Sequence, residues 1–305
     1  MKIGIERLGL LFDPRRYFSR NIPLTHAANP VVIPINQSTA RIFFNSRDSM
    51  QKSSIYSIDI DMNALEVNHN SFQEQHLLTD TQTYYKDGIS LGSEIMIDNQ
   101  VWIGFMGWVN PPDEHWFGQI GKLMLDDNFN VKYIESEPWF ALDQNDPISL
   151  SYPAFYSRKS ETRMWYGSTL TWDAGNGEMI HILKEKTSDD GVNFEPTGRI
   201  VEWELNIAQA FSRPSIVTLG NSYLLAYSVR GNATKYQIGF SLIEEDNIDC
   251  GFALKQIKVF GPSESEWENE MVEYPYLINH KDNTYMFYNG NAFGRTGIGL
   301  ARLFY

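Results

Sequence analysis

The last 33 residues of the chain, EYPYLINHKDNTYMFYNGNAFGRTGIGLARLFY (273–305), contain three short apolar runs separated by turn-forming residues. The first run includes Pro275, and similar proline-containing runs occur around Pro30, Pro153 and Pro214. The last three of these prolines are spaced by 61 residues, and Pro30 precedes Pro153 by 123, close to twice that spacing. The middle of the longer interval falls in another apolar run, LGSEIMI (91–97). The chain therefore predicts five copies of one repeat of about 61 residues.

Each copy has the same internal order of runs. A second, aromatic-rich run follows the first and reads RIFFNS, VWIGFMGW, RMWYGS, YLLAYS and TYMFYNG in the five copies. A polar loop rich in Gly, Asn and Asp comes next, and then a third run such as GQIGKLML or YQIGFSLI. These short β-branched or aromatic segments bounded by turn residues predict strands, and no window has the apolar spacing of a helix.

A weaker fourth run follows in copies one to four, but the fifth copy has none. The segment ERLGLLFD (6–13) precedes the first copy and is similar to those fourth runs. We therefore predict an all-β fold, a single five-bladed β-propeller domain spanning 1–305 with four strands per blade. In this arrangement the N-terminal strand completes the last blade and removes an exposed sheet edge. An irregular β-sandwich is the alternative, but sandwiches do not impose such a period.

Composition limits the possible partners. The net charge is −13 and the pI is about 4.9, with no Lys/Arg cluster, so neither nucleic acid nor an anionic membrane surface is expected as a partner. The single cysteine, Cys250, excludes an internal disulfide and a cysteine-based zinc site, and it is expected to be a small buried apolar residue. No segment has the pattern of a signal peptide or the length of a membrane span, which favours the cytoplasm.

In a propeller, the loop before the first strand of each blade and the loop between its second and third strands share one rim. The predicted rim collects carboxylates, amides, arginines and tryptophans: His26, Asn29, Arg47, Asp48, Asp87, Glu94, Trp108, Trp172, Asp173, Arg213, Arg230, Glu273, Tyr274, Asn289 and Asn291. Charged and amide groups hydrogen-bond hydroxyls, and aromatic faces stack on sugar rings, so this set favours a carbohydrate ligand. Two carboxylates facing each other there could act as general acid and base on a glycosidic bond.

Several of these residues have a structural alternative. Asp48 and Asp87 stand in turn-forming contexts, and either could simply cap a turn. Arg213 could bridge two blades, and Trp108 could be part of the core between blades. His26 is more simply a hydrogen-bonding residue than a ligand, and the six histidines show no metal-ligand spacing.

The segments SRPSIV, RMWYGSTLTWD, KEKTSDDGVNF and EYPYLINHKDNTYMFYNGNAFGRTGIGLA resemble five-bladed propellers of the glycoside hydrolase family 43 and family 32 superfamily. The same segments resemble glycosidase-like relatives that are often associated with surface-polysaccharide biosynthesis. The resemblance implies three acidic residues on the inner strands: an Asp base or nucleophile, a Glu general acid and an Asp that tunes the acid. Some relatives also hold a cation in the central channel, although the sequence itself indicates no cofactor.

The chain departs from the family pattern at two places. The first-blade segment AANPVV has Asn29 where family 32 has the acid of its NDPNG motif, and the third-blade segment LSYPAF lacks the acid of the EC motif. NSRDS (45–49) contains an Arg-Asp pair like that of the superfamily, but in the first blade. The remaining candidates for catalysis are Glu273, Asp48 and Asp87.

Two functions are consistent with the sequence. The first is a glycoside hydrolase-like enzyme with Glu273 as general acid and Asp48 or Asp87 as base. In it Arg47, Arg213 and Arg230 bind an anionic or nucleotide-linked sugar. The alternative is a non-catalytic propeller that binds a glycan or a partner protein. The distance between two facing carboxylates distinguishes the two functions, because hydrolysis needs such a pair and a funnel with one acid favours binding.

Overall fold

The computed structural model describes residues 3–20, 24–76, 83–158, 160–244 and 253–305, and Cys250 lies outside them. Nearly all regular structure in these ranges is β-strand, which confirms the predicted all-β class. The strands are β1 (Gly4–Phe12), β2 (Ala28–Pro34), β3 (Thr39–Arg47), β4 (Ser53–Asp61), β5 (Glu66–His76), β6 (Gly88–Ile97), β7 (Gln100–Val109), β8 (Phe117–Leu125), β9 (Val131–Ile134), β10 (Leu150–Arg158), β11 (Glu161–Thr171), β12 (Ile180–Ser188), β13 (Glu195–Val201), β14 (Ala210–Leu219), β15 (Ser222–Arg230), β16 (Gln237–Glu244), β17 (Ala253–Leu254), β18 (Lys258–Phe260), β19 (Glu273–His280), β20 (Asn283–Asn289) and β21 (Ile298–Phe304). A 3₁₀ helix (Pro14–Arg20) and a helical turn, α1 (Asn291–Gly294), complete the described elements.

Strand composition follows the depth of each strand. The aromatic-rich strands β3, β11 and β15 are buried on both faces over most of their length, as their continuous apolar and small residues require. Strand β5 has mostly half-buried and exposed side chains and carries polar residues at most positions. The polarity of a run therefore distinguishes central strands from outer strands.

The described strands pair as antiparallel meanders. Two of them, β2-β3-β4-β5 and β6-β7-β8-β9, are joined into one sheet by a single parallel pair, Ser53 with Gly88. Another parallel pair, His181 with Ala210, joins β10-β11-β12-β13 to β14-β15-β16-β18. The third sheet has the order β1-β21-β20-β19, so the N-terminal strand pairs with the last strand of the chain.

The first strands of these meanders are β2, β6, β10, β14 and β19, called the first strands below. Each has a register shift against its partner near its beginning, where the strand bulges. In four of them the bulge contains a residue with positive φ directly before a proline: Asn29, Tyr152, Arg213 and Tyr274. Non-glycine residues rarely adopt this conformation, and a following proline restricts them further. Such strain persists where the surroundings fix the backbone, which often happens at functional sites.

Serine side chains link neighbouring first strands across the bulges. Ser93 Oγ accepts a hydrogen bond from the backbone N–H of Phe155 at 2.9 Å, and Ser215 Oγ accepts one from Leu277 at 2.8 Å. Both amides are buried, so no water replaces a lost acceptor. These bonds align β10 with β6 and β19 with β14.

We expect Ser93→Ala and Ser215→Ala each to lower the free energy of unfolding by about 1–3 kcal/mol, because each leaves a buried N–H unpaired. Urea denaturation of the two variants and wild type measures the loss. Ser265→Ala, at an exposed serine, is the matched control, with an expected change within about 0.5 kcal/mol. Losses no larger than that of the control would show that these serines do not hold the first strands together.

Candidate functional site

A cavity of about 380 Å³ opens where the first strands begin and the second strands end. Most of its wall is aromatic or apolar, from Met106, Trp108, Trp116, Tyr152, Met179, Phe211, Tyr236, Tyr274 and Phe293. Its polar wall consists of Arg47, Ser90, Asn110, Ser151, His181, Ser212 and Arg230. The described residues that line it include no carboxylate, although the chain carries a net charge of −13. The wall is therefore cationic and aromatic in an otherwise acidic protein.

Equivalent positions on the first strands form the floor. Four of them, Ser90, Ser151, Ser212 and Glu273, are separated by 61 residues each and pair with equivalent positions on the second strands. Three are serines that line the cavity, and only Glu273 is acidic. The repeat thus places four short polar positions side by side beside the bulges.

Arg47 ends β3 and is half-buried in the cavity wall. No carboxylate of the described ranges lies within ion-pair distance of its guanidinium. Its positive charge acts on His26. Burial, together with this charge, lowers the pKa of His26 to about 4. Arg47 is therefore a cationic group at the cavity that has no counter-ion among the described residues.

Arg230, at the end of β15, is by contrast already paired. Its Nε lies 2.8 Å from Glu178 Oε2, its Nη2 donates to Glu178 Oε1 at 3.0 Å, and its guanidinium lies 4.6 Å from the centre of the Tyr236 ring. Burial disfavours the charge, but Tyr236 and Glu178 outweigh it and raise the pKa of Arg230. Arg230 is thus held rigidly against the wall.

Ser151 and His181 form a close pair on the cavity floor. The Oγ of Ser151 lies 2.7 Å from His181 Nε2, and His181 Nδ1 lies 2.7 Å from Thr169 Oγ1. Both residues are buried, and burial lowers the pKa of His181 to about 4, so the ring is neutral at pH 7. A Cβ at Gly167 would overlap both Ser151 Oγ and His181 Nε2. Glycine at this position therefore makes room for the pair.

Glu273 occupies the fourth of these equivalent positions, but it does not line the cavity and is fully buried. Neither of its carboxylate oxygens has a hydrogen-bond partner of good geometry among the described residues. Burial raises the pKa of Glu273 well above 4.5, although the Phe293 amide and the charges of Arg230 and Arg47 act in the opposite direction. Relative to an exposed glutamate, the protonated form of Glu273 is therefore favoured, and the group is next in sequence to Tyr274 of the cavity wall.

The three aspartates that the sequence singled out sit in turns. Asp48 is exposed, and its carboxylate accepts from the amides of Met50 and Lys52 at 2.8 and 2.9 Å. The carboxylate of Asp87 accepts from the Asn110 amide at 2.7 Å, and that of Asp173 from Gly175 at 2.7 Å. None of the three lines the cavity.

Three other candidates, His26, Asn289 and Asn291, hold backbone segments in place. His26 Nδ1 lies 2.7 Å from Thr25 Oγ1. The amide of Asn289 donates to the carbonyls of Ala27 and Gly297, while Asn291 Oδ1 accepts from the backbone of Glu270. None of the three lines the cavity.

Asn29 differs from these three residues. Its amide nitrogen donates to Asn45 at 3.4 Å, but its Oδ1 is buried without a partner among the described residues. Asn29 is also one of the residues with positive φ.

Arg213 and Glu94 lie where the first strands converge. The Arg213 guanidinium is fully buried and donates from Nη2 to the Pro30 carbonyl at 2.5 Å, while Glu94 accepts a hydrogen bond from Tyr276. Burial lowers the pKa of Arg213 to about 10, and Tyr276, Tyr152 and Glu94 counteract it. Burial raises the pKa of Glu94. This cluster lies outside the cavity lining.

Aromatic side chains extend the wall outward. Trp172 stacks on His115 with ring centres 3.8 Å apart and an angle of 10° between the ring planes. Its ring centre lies 4.8 Å from that of Trp116. Trp116 lines the cavity, so this cluster prolongs its apolar surface. Trp108 lies on the wall itself.

Of the predicted residues, Arg47, Trp108, Arg230 and Tyr274 meet at the cavity, but the prediction missed Ser151 and His181. Ser151 could have been found as the equivalent of Glu273 two repeats earlier, 122 residues before it. His181 gives no such signal, because it is opposite Thr169 only through the strand register.

The described ranges contain neither a candidate metal site nor a candidate membrane-spanning helix. No group of three or more His, Cys, Asp or Glu in the described ranges could hold a metal ion. Within the same ranges, no helix is long and apolar enough to cross a membrane.

No protein-family model matches the chain. The uncharacterized proteins MT1551 and Rv1502, from two strains of Mycobacterium tuberculosis, are each 30% identical to it over 300 residues, covering 98% of this chain and 98% of each relative. A solved structure described as a glycoside hydrolase has a TM-score of 0.71 at 13% identity, covering 97% of this chain and 91% of the other.

Two solved structures with assigned glycoside hydrolase families are also similar. The family GH43_1 enzyme from Xanthomonas citri, complexed with xylose, has a TM-score of 0.61 at 9% identity and covers 98% of this chain and 90% of the other. The Bombyx mori GH32 β-fructofuranosidase BmSUC1 has a TM-score of 0.61 at 14% identity and covers 92% and 62%. These likenesses show the fold, a β-propeller of the kind found in glycoside hydrolases.

Proposed function

The chain belongs to the same family as the Mycobacterium tuberculosis proteins MT1551 and Rv1502, and we propose that its cavity binds an anionic saccharide. The observation that carries this proposal is a cavity wall on which the described residues include two arginines, of which Arg230 is paired with Glu178, and no carboxylate, in a chain of net charge −13. Arg47 has no counter-ion among the described residues, so a carboxylate or phosphate of the ligand is its natural partner.

The rest of the wall suits a sugar. Trp108 and Trp116 offer flat apolar faces for a ring, and Ser90 and Asn110 offer hydrogen-bonding groups for its hydroxyls. The volume, about 380 Å³, is at the lower end of the range of roughly 300–1,000 Å³ typical of small-molecule sites. A monosaccharide, a sugar phosphate or the sugar end of a nucleotide sugar fits this description better than a long polymer.

Hydrolysis of a glycosidic bond is the second candidate function, with Glu273 as general acid. It is favoured by one feature, a buried carboxyl whose pKa is raised and whose oxygens have no hydrogen-bond partner of good geometry among the described residues. A two-carboxylate mechanism also needs a facing base or nucleophile, roughly 5–9.5 Å away. Asp48 and Asp87 are occupied in turns, and no carboxylate lines the cavity in the described ranges, so the geometry supports binding better.

We further propose five blades that close into a ring within one domain. Two features support this: the five first strands share the same bulge, and each contacts the next, with β19 contacting β2. In such a ring the cavity lies at one end of the central axis. The resemblance to relatives in surface-polysaccharide biosynthesis makes a cytoplasmic role with activated sugars the working proposal.

The test measures thermal stabilisation and binding isotherms against uronic acids, nonulosonic acids, sugar phosphates, nucleotide sugars and neutral sugars. We expect an anionic sugar to bind wild type, and Arg47→Ala to weaken it roughly 10- to 100-fold, the value of a hydrogen bond to a charged group. Arg47→Lys retains charge without the planar fork and should lie between the two. Arg295→Ala, an exposed arginine off the cavity, is the control.

Equal binding of neutral and anionic sugars, or no effect of Arg47→Ala, would contradict the proposal. Release of reducing sugar that is lost in Glu273→Gln, while binding remains, would establish the second candidate. Binding without release supports recognition alone.

A further inference from the structure

We infer that Ser151 and His181 form a nucleophile and general-base pair that hydrolyses small acyl esters, such as an O-acetyl group on the bound saccharide. The pair lies on the floor of the cavity, with Ser151 Oγ 2.7 Å from His181 Nε2. A serine within hydrogen-bonding distance of a histidine that a third group holds in place is the arrangement that activates a hydroxyl for acyl transfer. The inference rests on the proposed function only for the identity of the alcohol.

Three structural features show that the pair is a distinct arrangement within the repeat. Ser90 and Ser212 occupy the equivalent floor positions, but among the cavity-lining residues only Ser151 has a histidine partner. Thr169 Oγ1, 2.7 Å from Nδ1, fixes the ring from its other side. Gly167 leaves free the space that a Cβ would take from both Ser151 Oγ and His181 Nε2.

The reaction proceeds in two balanced halves. Ser151 Oγ forms a bond to the acyl carbon while its proton passes to His181 Nε2. The ester C–O bond then breaks, and that proton passes to the departing oxygen, which leaves as the alcohol. Water attacks the acyl-serine, gives its proton to His181 and releases the carboxylic acid, and Ser151 recovers its proton. This requires the histidine tautomer with the proton on Nδ1, donating to Thr169.

The developing oxyanion has a donor available in the same cavity. Ser212 Oγ is buried on the neighbouring first strand and has no hydrogen-bond partner in the described part of the chain. This unpartnered hydroxyl is the candidate donor to the developing negative charge, the kind of contact that stabilises such intermediates. Burial keeps His181 neutral at pH 7 by lowering its pKa to about 4, which makes it available but a weak base. We therefore expect slow turnover.

A fluorophosphonate probe followed by peptide mapping tests the nucleophile on the full chain. We expect one adduct per chain, on Ser151, with Ser90 and Ser212 unlabelled as internal controls. His181→Asn keeps the serine but should lower the labelling rate roughly 100-fold or more, since general-base catalysis contributes about 10²- to 10⁴-fold. Gly167→Ala should lower it as well, by displacing the pair.

Hydrolysis of p-nitrophenyl acetate supplies the second readout. Ser151→Ala should abolish the rate above buffer, while Ser241→Ala, a buried serine bonded to Tyr227 away from the cavity, should not change it. Circular dichroism verifies that the variants are folded. No adduct, an adduct elsewhere, or unchanged hydrolysis in Ser151→Ala would overturn the inference.

The same experiment separates this inference from the proposed function. Labelling of Ser151 supports the pair whether or not a sugar acid slows it. Protection of Ser151 by the sugar acid tests the proposed ligand independently, and its absence counts against the saccharide and not against the nucleophile.

Discussion

Replacing Glu273 by glutamine is expected to stabilise the protein relative to wild type, by an amount that grows with pH above about 4.5. The reason is that the buried carboxyl has no hydrogen-bond partner in the described ranges and has a pKa raised well above 4.5. Glutamine has nearly the same shape but cannot ionise, so the variant isolates the cost of keeping this group buried.

The sign follows from proton linkage. Between the unfolded pKa of Glu273 and its higher folded pKa, the native chain holds a proton that the unfolded chain has released. Stability therefore falls as pH rises through this window, by up to about 1.4 kcal/mol per pH unit for one group. Glu273→Gln lacks this loss, so the difference in unfolding free energy between variant and wild type should grow with that slope.

Urea denaturation of both proteins at pH 5, 6, 7 and 8 measures the difference. His181→Asn provides the opposite sign, because burial lowers the pKa of His181 from 6.5 to about 4. The free energy of unfolding of the wild-type protein therefore falls as the pH falls through that interval. The stability of His181→Asn relative to wild type should increase only there. A Glu273→Gln difference that stays constant from pH 5 to 8 would show that the carboxyl is ionised in the native protein.

The repeat could be predicted from the sequence because each of four copies has a proline at the same place in its first strand. Proline has a fixed φ and no N–H, so within a sheet it is confined to edges and bulges. Pro30, Pro153, Pro214 and Pro275 all fall in the bulges of first strands. The pairing of β1 with β21 was likewise predictable from a segment left over at one end and a copy incomplete at the other.

The chemistry of the cavity was less accessible. Asp48 and Asp87 were selected by residue type, but a short carboxylate in a turn is readily taken up by backbone amides, as both are here. Ser151 and His181 are 30 residues apart and meet only because β10 and β12 both pair with β11. The bulge in β10 shifts that register by one residue, and a pattern of apolar runs does not show it.

Arg213→Ala is expected to lower the free energy of unfolding by about 3–5 kcal/mol, the cost typical of breaking a buried charged contact. The side chain is fully buried and contacts groups from the other first strands. It donates to the Pro30 carbonyl of β2, lies 5.7 Å from the Tyr276 ring of β19, and interacts electrostatically with Glu94 of β6. Alanine removes this volume and leaves a buried carbonyl without its donor.

Arg213→Met distinguishes volume from charge. Methionine fills much of the space without a charge, and replacing a buried ion by an apolar side chain of similar size is often neutral or stabilising. Burial already opposes the charge of Arg213 and lowers its pKa to about 10, and Nε and Nη1 have no hydrogen-bond partner in the described ranges. We therefore expect Arg213→Met to recover most of the stability that Arg213→Ala loses.

Urea denaturation at pH 7 measures the free energy of unfolding of the two variants. The protonation of Glu94 bears on how the result is interpreted. Burial raises the pKa of Glu94, and the positive charge of Arg213 lowers it, so removing that charge shifts Glu94 further toward its neutral form. A neutral Glu94 still shares a hydrogen bond with Tyr276, which limits the damage in the methionine variant. If Arg213→Met is as unstable as Arg213→Ala, the guanidinium charge itself holds the first strands together, and filling the space between them is not enough.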